Sequence, residues 1–501
     1  MAMEYDSPVT DLREWLRRVD ALGELVVINE PVDPDEEMAA ITYLVGKEQG
    51  SPCLLFERSD QSAADPLGIR QLWNILGSSR RRIALTMEED PEISLRDLIA
   101  RAKDRTGLRV PPKEVSRDEA PVLTNTLTGS DIDLTSLPIP KHWPLDGGRY
   151  AGTGDAVITR DPDNGYLNVG TYRMMLQGPR EVNLFLSPGK DAKLHIERAW
   201  KRNESVPVAA AWGVDPLFMV IGGQAFAKNV SEYEFLGGVK GHPVPVVRGT
   251  ATDLLVPAAA EIVIEGEIPP NSVRHEGPFG EFTGYYGHEG GDCPLVHVKA
   301  IHYRDDPILT NALMADYPSC EMADFFAILR SARIWGDLEK LGLPGIAGVY
   351  SHPAAASGFA MTVISLEQRY PGHASQALSL AAQVPGGAYY SKWIIAVDHD
   401  VDPTNINEVL WALSTRCAPR DDIDILRDTW STWLDPSQNP PEVRPYGSKA
   451  LINSCTDHRH LHTMARRTAL RREIYDRVSS RWHELGLAGE VPPVRAFADD
   501  S

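Results

Sequence analysis

The stretch His275-Glu276-Gly277-Pro278-Phe279-Gly280-Glu281-Phe282-Thr283-Gly284-Tyr285-Tyr286 carries two carboxylates in a segment whose glycines and proline exclude a regular helix. Held on one tight loop, Glu276 and Glu281 repel each other. Repulsion or burial would raise one pKa and make that group a proton donor. Taken alone, the same segment also reads as a solvated turn with two surface glutamates.

A second stretch, Asn168-Val169-Gly170-Thr171-Tyr172-Arg173-Met174-Met175, sets an arginine among apolar residues. Strand alternation puts Asn168, Gly170 and Tyr172 on one face and Val169, Thr171 and Arg173 on the other, unless a bulge intervenes. A buried arginine needs an anion, which could be a carboxylate, a phosphate or a substrate carboxylate. A structural ion pair meets the same need.

These segments need a scaffold. Leu12, Trp15, Leu16, Val19 and Leu22 fall at helical spacing behind Asp11, with Glu14 three residues on. Leu25 to Ile28 reads as a strand, and Asp33-Pro34 as the start of a helix running to Val45. From about 120 to 310 short β-rich runs dominate: Ala156 to Thr159, Tyr166 to Leu176, Val206 to Trp212, Val244 to Val247, Leu254 to Ile264 and Val296 to Tyr303. Asp161 to Gly165 is turn chemistry between the first two, a hairpin signal. Beyond about 325 strands and helices alternate, predicting a parallel sheet covered by helices.

The expected fold class is therefore an α/β multidomain protein. It has an N-terminal α/β domain (1–115), a central, mainly β domain (116–320) that reads as a barrel or a sandwich, and a C-terminal α/β domain (321–458). A final long amphipathic helix (459–487) suited to an oligomer contact comes next, with a flexible tail (488–501) after it.

A net charge of −20 over 501 residues disfavours nucleic acid and anionic membranes as partners. No basic-then-apolar leader and no spanning apolar run is visible, so the cytoplasm is the expected location. Five scattered cysteines, never paired as C-x-x-C, read as reduced thiols. There is no Walker loop, no H-E-x-x-H and no G-x-S-x-G. The histidines of Asp457-His458-Arg459-His460-Leu461-His462 read as an exposed strand end or loop.

Together, the Asn168 to Arg173 spacing and the E-G-P-F-G-E loop resemble the UbiD family of prenylated-FMN-dependent decarboxylases. The resemblance continues through Ser231 to Phe235, Leu254 to Ala258 and Glu261 to Gly266, and covers most of the chain from about 10 to 460. It implies a split β-barrel for the central, flavin-binding domain, and Arg173, Glu276 and Glu281 as the catalytic acid–base network, with Glu281 the proton donor. It implies Asn168 and Glu232 as ligands of Mn²⁺ (or Mg²⁺). Thr171, Tyr172, Arg173, Leu184, Phe185, Leu186, Gly189 and Lys190 would hold prenylated FMN, and carbonyls near Gly222 to Gln224 a K⁺ ion. Some members place a histidine ligand where this chain has Lys190; a protonated lysine cannot ligate but neutralises a phosphate. His195 is the alternative third ligand.

The resemblance implies a reversible, non-oxidative decarboxylase of an aromatic, heteroaromatic or α,β-unsaturated acid. Such an enzyme releases CO₂, depends on a UbiX-type flavin prenyltransferase for its cofactor, and forms a homodimer or higher homo-oligomer. An FMN oxidoreductase and a non-catalytic flavin-binding subunit are the alternatives. Pocket walls are expected from Met314 to Phe325, with Tyr317, Ser319, Cys320 and Glu321, and from Tyr389, Tyr390 and Trp393. On that expectation Ser319 and Glu321 are placed to bind a ring hydroxyl.

Overall fold

The Asp11 carboxylate accepts a hydrogen bond from the Glu14 N–H at 2.8 Å and starts the helix Leu12–Ala21, whose Leu12, Trp15, Leu16 and Val19 are buried. The computed structural model describes residues 9–60, 65–187, 189–223, 230–438, 446–461, 465, 467–494 and 497–498. The strand Leu25–Ile28 pairs in parallel with Cys53–Phe56, which runs antiparallel to Arg70–Trp73. A fourth strand, Ile308–Thr310, returns from far along the chain to pair with Arg70–Trp73. The first sheet is thus tied to the end of the central region. The second helix, Glu37–Val45, begins later than Asp33-Pro34 predicts, after Glu36 at φ +69°.

Among the described residues the central sheet has nine strands, all paired antiparallel. Its path runs Leu167–Gly170, Asp155–Arg160, Val206–Trp212, Ile262–Ile268, Gly291–Tyr303, Glu181–Asn183, Leu176–Gly178. Asn125–Thr128 and Val273–Glu276 pair with the long strand Gly291–Tyr303. The turn at 161–165 closes the first hairpin and sets Thr159 opposite Asn168. The expected split barrel is not seen as a closed barrel: the path is open, and its described end strands share no register. Of the chain between those ends, Thr171 to Arg173 leave the sheet to wall a cavity.

The third large sheet holds five strands in the order Ile346–Ser351, Met361–Leu366, Trp393–Asp398, Tyr446–Ser454, Ile423–Trp430. Its three middle strands are parallel, as the alternation predicts, but both edges are antiparallel. The helix Ala323–Lys340, largely buried, packs against both Leu95–Arg105 and Ile346–Ser351 and so joins the two ends of the chain.

The long terminal helix expected over 459–487 is much shorter. His458–His460 is a 3₁₀ turn and the described helix is Arg472–Ser479, with none of its residues buried. The expected frayed tail returns to this helix: Phe497 is buried, 5.5 Å from the Tyr475 ring, and the Ala498 N–H donates to the Leu470 carbonyl at 2.9 Å. His458 and His460 lie near or at the surface, while His462 falls outside the described residues. Among the described residues no helix is long and apolar enough to cross a membrane.

Candidate active site

The acid loop is pinned along its length. Glu276 ends the strand Val273–Glu276, opposite Gly291. Gly277 follows at φ +95°, where a Cβ would sit 2.7 Å from the Gly290 Cα, so this turn admits only glycine. The Pro278 carbonyl accepts from the Gly147 N–H at 2.8 Å. Asp146 accepts from the N–H groups of Trp143 and Gly280, each at 2.9 Å. Burial pushes the Asp146 carboxyl up to about 6. Glu281 is then fixed through its own N–H, which donates to the Tyr285 carbonyl at 3.1 Å.

Both glutamates meet Arg173. Its Nε donates to Glu276 Oε1 at 2.8 Å and its Nη2 to Oε2 at 3.1 Å, a two-pronged pair, while Nη1 donates to Glu281 Oε1. The guanidinium lies over the Phe185 ring at 3.7 Å and faces Phe279 at 4.9 Å. Tyr150 donates its hydroxyl to Glu276 Oε1 at 2.9 Å. Glu276 is fully buried, Glu281 is 6% exposed and Arg173 8%. Two carboxylates thus share one cation away from water. Burial raises the Glu281 pKa, and the opposing Arg173 charge does not cancel it. Burial pulls Arg173 down, yet Glu281 and Glu276 together hold its pKa above the ordinary value. Glu281 is the carboxyl better suited to carry a proton.

Strand alternation predicted opposite faces for Tyr172 and Arg173, but the strand ends at Gly170 and both line the same cavity. That cavity holds about 220 Å³. Thr153, Thr171, Phe185, Ser187, Lys190 and Glu281 wall it from the central domain, and Met322, Phe325, Phe326, Phe359, Tyr389 and Leu434 from the C-terminal side.

The side chains expected to hold a cofactor gather around Thr171. Asn168 is buried and donates from Nδ2 to the Tyr172 hydroxyl at 3.3 Å, leaving its amide oxygen as an acceptor. Glu232, at the start of the helix Glu232–Lys240, accepts from the Val169 N–H at 2.7 Å, and burial pushes it up to about 7. Lys190 lines the cavity, its pKa lowered by burial despite the nearby Asp191 and Glu232 charges. Gly189 turns at φ +83°. Thr171 Oγ1 and Ser231 Oγ are buried without a hydrogen-bond partner. The orphaned Thr171 hydroxyl and the Lys190 ammonium in one cavity fit a phosphate-bearing flavin. Asn168 and Glu232 supply oxygen donors that suit a hard divalent ion. Among the described residues no cluster of three His, Cys, Asp or Glu completes such a site.

His195 does not complete it. Its Nδ1 pairs with Thr159 Oγ1 at 3.0 Å, its Nε2 faces Asp161 at 3.9 Å, and burial lowers its pKa. Leu184 and Leu186 are core residues outside the cavity lining, whereas Phe185 between them reaches it. The Gly222 carbonyl faces the Thr171 N–H at 3.4 Å; Gln224 lies outside the described residues.

The expected substrate wall is partly corrected. Met314, Glu321, Met322, Phe325 and Tyr389 line the cavity. The Glu321 carboxylate, however, is taken up by the N–H groups of Ile75, Leu76 and Gly77 at 2.7–3.1 Å, and the Ser319 hydroxyl donates to the Tyr43 carbonyl at 2.8 Å. Neither is free for a ring hydroxyl. Tyr317 and Tyr390 line a separate cavity of about 180 Å³, Cys320 is bonded by the Ser357 hydroxyl, and Trp393 is half exposed. Tyr150 and Asp146 went unnoticed in the sequence, since a lone tyrosine and aspartate far from the loop carry no local signal.

Sequence models place the chain among known proteins. Three match: the 3-octaprenyl-4-hydroxybenzoate carboxy-lyase N-terminal domain over residues 16–102, its Rift-related domain over 113–317 and its C-terminal domain over 324–454. The chain belongs to the UbiD family. It is a decarboxylase: a phenolic acid decarboxylase of Bacillus subtilis is 32% identical over 445 residues, 86% of this chain and 90% of that one. The vanillic acid decarboxylase of Sedimentibacter hydroxybenzoicus, in its closed form, superposes with a TM-score of 0.83 at 30% identity, covering 96% of this chain and 99% of that one. The UbiD-class enzyme HmfF from Pelotomaculum thermopropionicum, solved in complex with FMN, gives 0.81 at 28% identity over 92% of this chain and 97% of that one. An evolved dimeric form of HmfF was solved with prFMN.

Proposed function

We propose that this decarboxylase removes CO₂, reversibly and without oxidation, from an aromatic carboxylic acid, using prenylated FMN and a divalent metal, Mn²⁺ or Mg²⁺. The observation that carries the reading is the contact of Arg173 with both Glu276 and Glu281 on the wall of an aromatic cavity. When bound, the flavin supplies the electron sink that loss of CO₂ from an sp² carbon requires. Thr171, Tyr172, Phe185, Gly189 and Lys190 hold it, with Leu184 and Leu186 anchoring the segment that carries Phe185 in the core. Lys190 neutralises its phosphate, and Asn168 and Glu232 ligate the metal.

The remaining steps belong to side chains. Arg173 orients the substrate carboxylate while its other prongs keep Glu276 in place. Glu281 delivers a proton to the carbon that has lost CO₂ and recovers it for the next turnover. The phenylalanines exclude water from the developing charge and offer faces to a flat ring. Vanillic and phenolic acids in the names of the similar proteins support an aromatic substrate.

A UbiX-type flavin prenyltransferase supplies the cofactor. The assembly is a homodimer or higher homo-oligomer, K⁺ sits near the Gly222 carbonyl, and the central domain carries the flavin. The test is to extract the flavin from active protein and weigh it. A prenylated mass is expected; turnover with unmodified FMN alone overturns the reading.

A further inference from the structure

The C-terminal side of the cavity is apolar but for one group. Of the described lining residues beyond Glu321, Met322, Phe325, Phe326, Phe359 and Leu434 offer no polar side-chain donor, whereas Tyr389 brings a phenol.

That phenol is held in place from three directions. The Tyr389 carbonyl accepts from Arg330 Nη2 at 2.8 Å, and the same nitrogen donates to Ser391 Oγ at 2.8 Å, anchoring the backbone to the helix Ala323–Lys340. Its ring packs edge-on against Phe359 at 5.9 Å and Trp430 at 4.9 Å. Thr432, which is buried, stands near enough to the Tyr389 side chain to influence its titration. Among the described lining residues on this side, the Tyr389 hydroxyl is the donor that the wall offers to a ligand. Burial raises the Tyr389 pKa, with the Glu281 charge adding to it, so the phenol stays a donor near neutral pH and lies within electrostatic reach of Glu281.

We propose that Tyr389 is a specificity-determining residue, whose hydroxyl donates a hydrogen bond to an oxygen substituent on the substrate ring and so selects hydroxylated or methoxylated aromatic acids over unsubstituted ones. The inference rests on the decarboxylase reading above and narrows its substrate class. A preorganised donor in a dry wall favours a ring with an acceptor. A ring without one leaves that donor buried and unpaired, and the difference between the two acids is the selectivity.

The experiment measures kcat/KM of the flavin-loaded protein for 3-hydroxybenzoic, 4-hydroxybenzoic and benzoic acids, in wild type and in Tyr389→Phe. The wild type should prefer at least one hydroxylated acid. Tyr389→Phe, which keeps the ring and its packing, should cut the hydroxybenzoate-to-benzoate ratio by roughly 3- to 10-fold, mainly through KM. A folded Tyr389→Phe variant with the wild-type ratio overturns the proposal, as does a wild type that prefers benzoic acid. A loaded wild type that decarboxylates none of the three, nor any other aromatic acid, overturns the underlying reading instead.

Discussion

Tyr150 and Glu276 are joined by a hydrogen bond of 2.9 Å, inside a site where Arg173 already grips the same carboxylate through two nitrogens. The phenol therefore works on the network from behind, without lining the cavity. Its ring packs at a tilt against Phe279, with centroids 4.5 Å apart, a contact that phenylalanine would preserve. Tyr150→Phe should fold normally and lower kcat by roughly 3- to 10-fold, the worth of one buried hydrogen bond. Rates and thermal unfolding measured together check this; an unchanged kcat would remove Tyr150 from the network.

Glu281 makes a sharper prediction. Glutamine keeps its shape but cannot give and recover a proton, so Glu281→Gln should lose roughly 100-fold or more in decarboxylation while retaining flavin absorbance. The sign of the shift sets the pH dependence. Burial favours the protonated carboxyl, so the acid form persists above the ordinary carboxylate range and is lost as pH rises through the raised pKa. The kcat profile should therefore fall on its alkaline side, and the residual rate of Glu281→Gln should lack that limb. A Glu281→Gln profile with the wild-type limb would assign it to another group.

Much of this site was legible in the chain because its key residues sit in two short segments with unusual composition. Glycine and proline around Glu276 and Glu281 announce a constrained acidic loop, and an arginine among apolar residues announces a need for an anion. The company those residues keep could not be read. Asp146, which holds Gly280, and Tyr150, which holds Glu276, lie more than a hundred residues from the loop and look ordinary in sequence. The departure of Thr171 to Arg173 from the sheet was hidden for a related reason: period-2 alternation assumes that a strand continues, and this one stops at Gly170. Glu321 misled in the opposite way. A glutamate in a turn-rich stretch reads as a ligand-binding group, yet three backbone N–H groups from the N-terminal domain claim it.

Gly277 separates the two glutamates from any freedom of the loop. At φ +95°, with Gly290 Cα 2.7 Å from where a Cβ would stand, alanine brings both backbone strain and a clash with main chain that cannot swing away. Gly277→Ala should cost about 1–3 kcal/mol of stability and displace Glu276 and Glu281 together. Activity should fall further than in Tyr150→Phe. A melting temperature and kcat equal to wild type would show that the loop accommodates the methyl group.

The cofactor end of the cavity separates anchoring by charge from anchoring by metal. Asn168 and Glu232 stand outside its described lining and offer oxygen donors, one through an amide and one through a carboxylate that also holds the Val169 N–H. Lys190 enters the same cavity with an ammonium that cannot ligate a metal while protonated. If Asn168 and Glu232 hold the ion that meets the flavin phosphate, Asn168→Ala and Glu232→Ala should lower divalent metal and flavin content together. Lys190→Ala should lower flavin content while the ion, once flavin is resupplied, still binds. Elemental analysis alongside flavin absorbance on the same purified samples distinguishes these outcomes. Metal lost without flavin in Glu232→Ala would show that Lys190 and the orphaned Thr171 hydroxyl suffice to hold the phosphate; flavin retained in all three variants would move its phosphate elsewhere in the cavity.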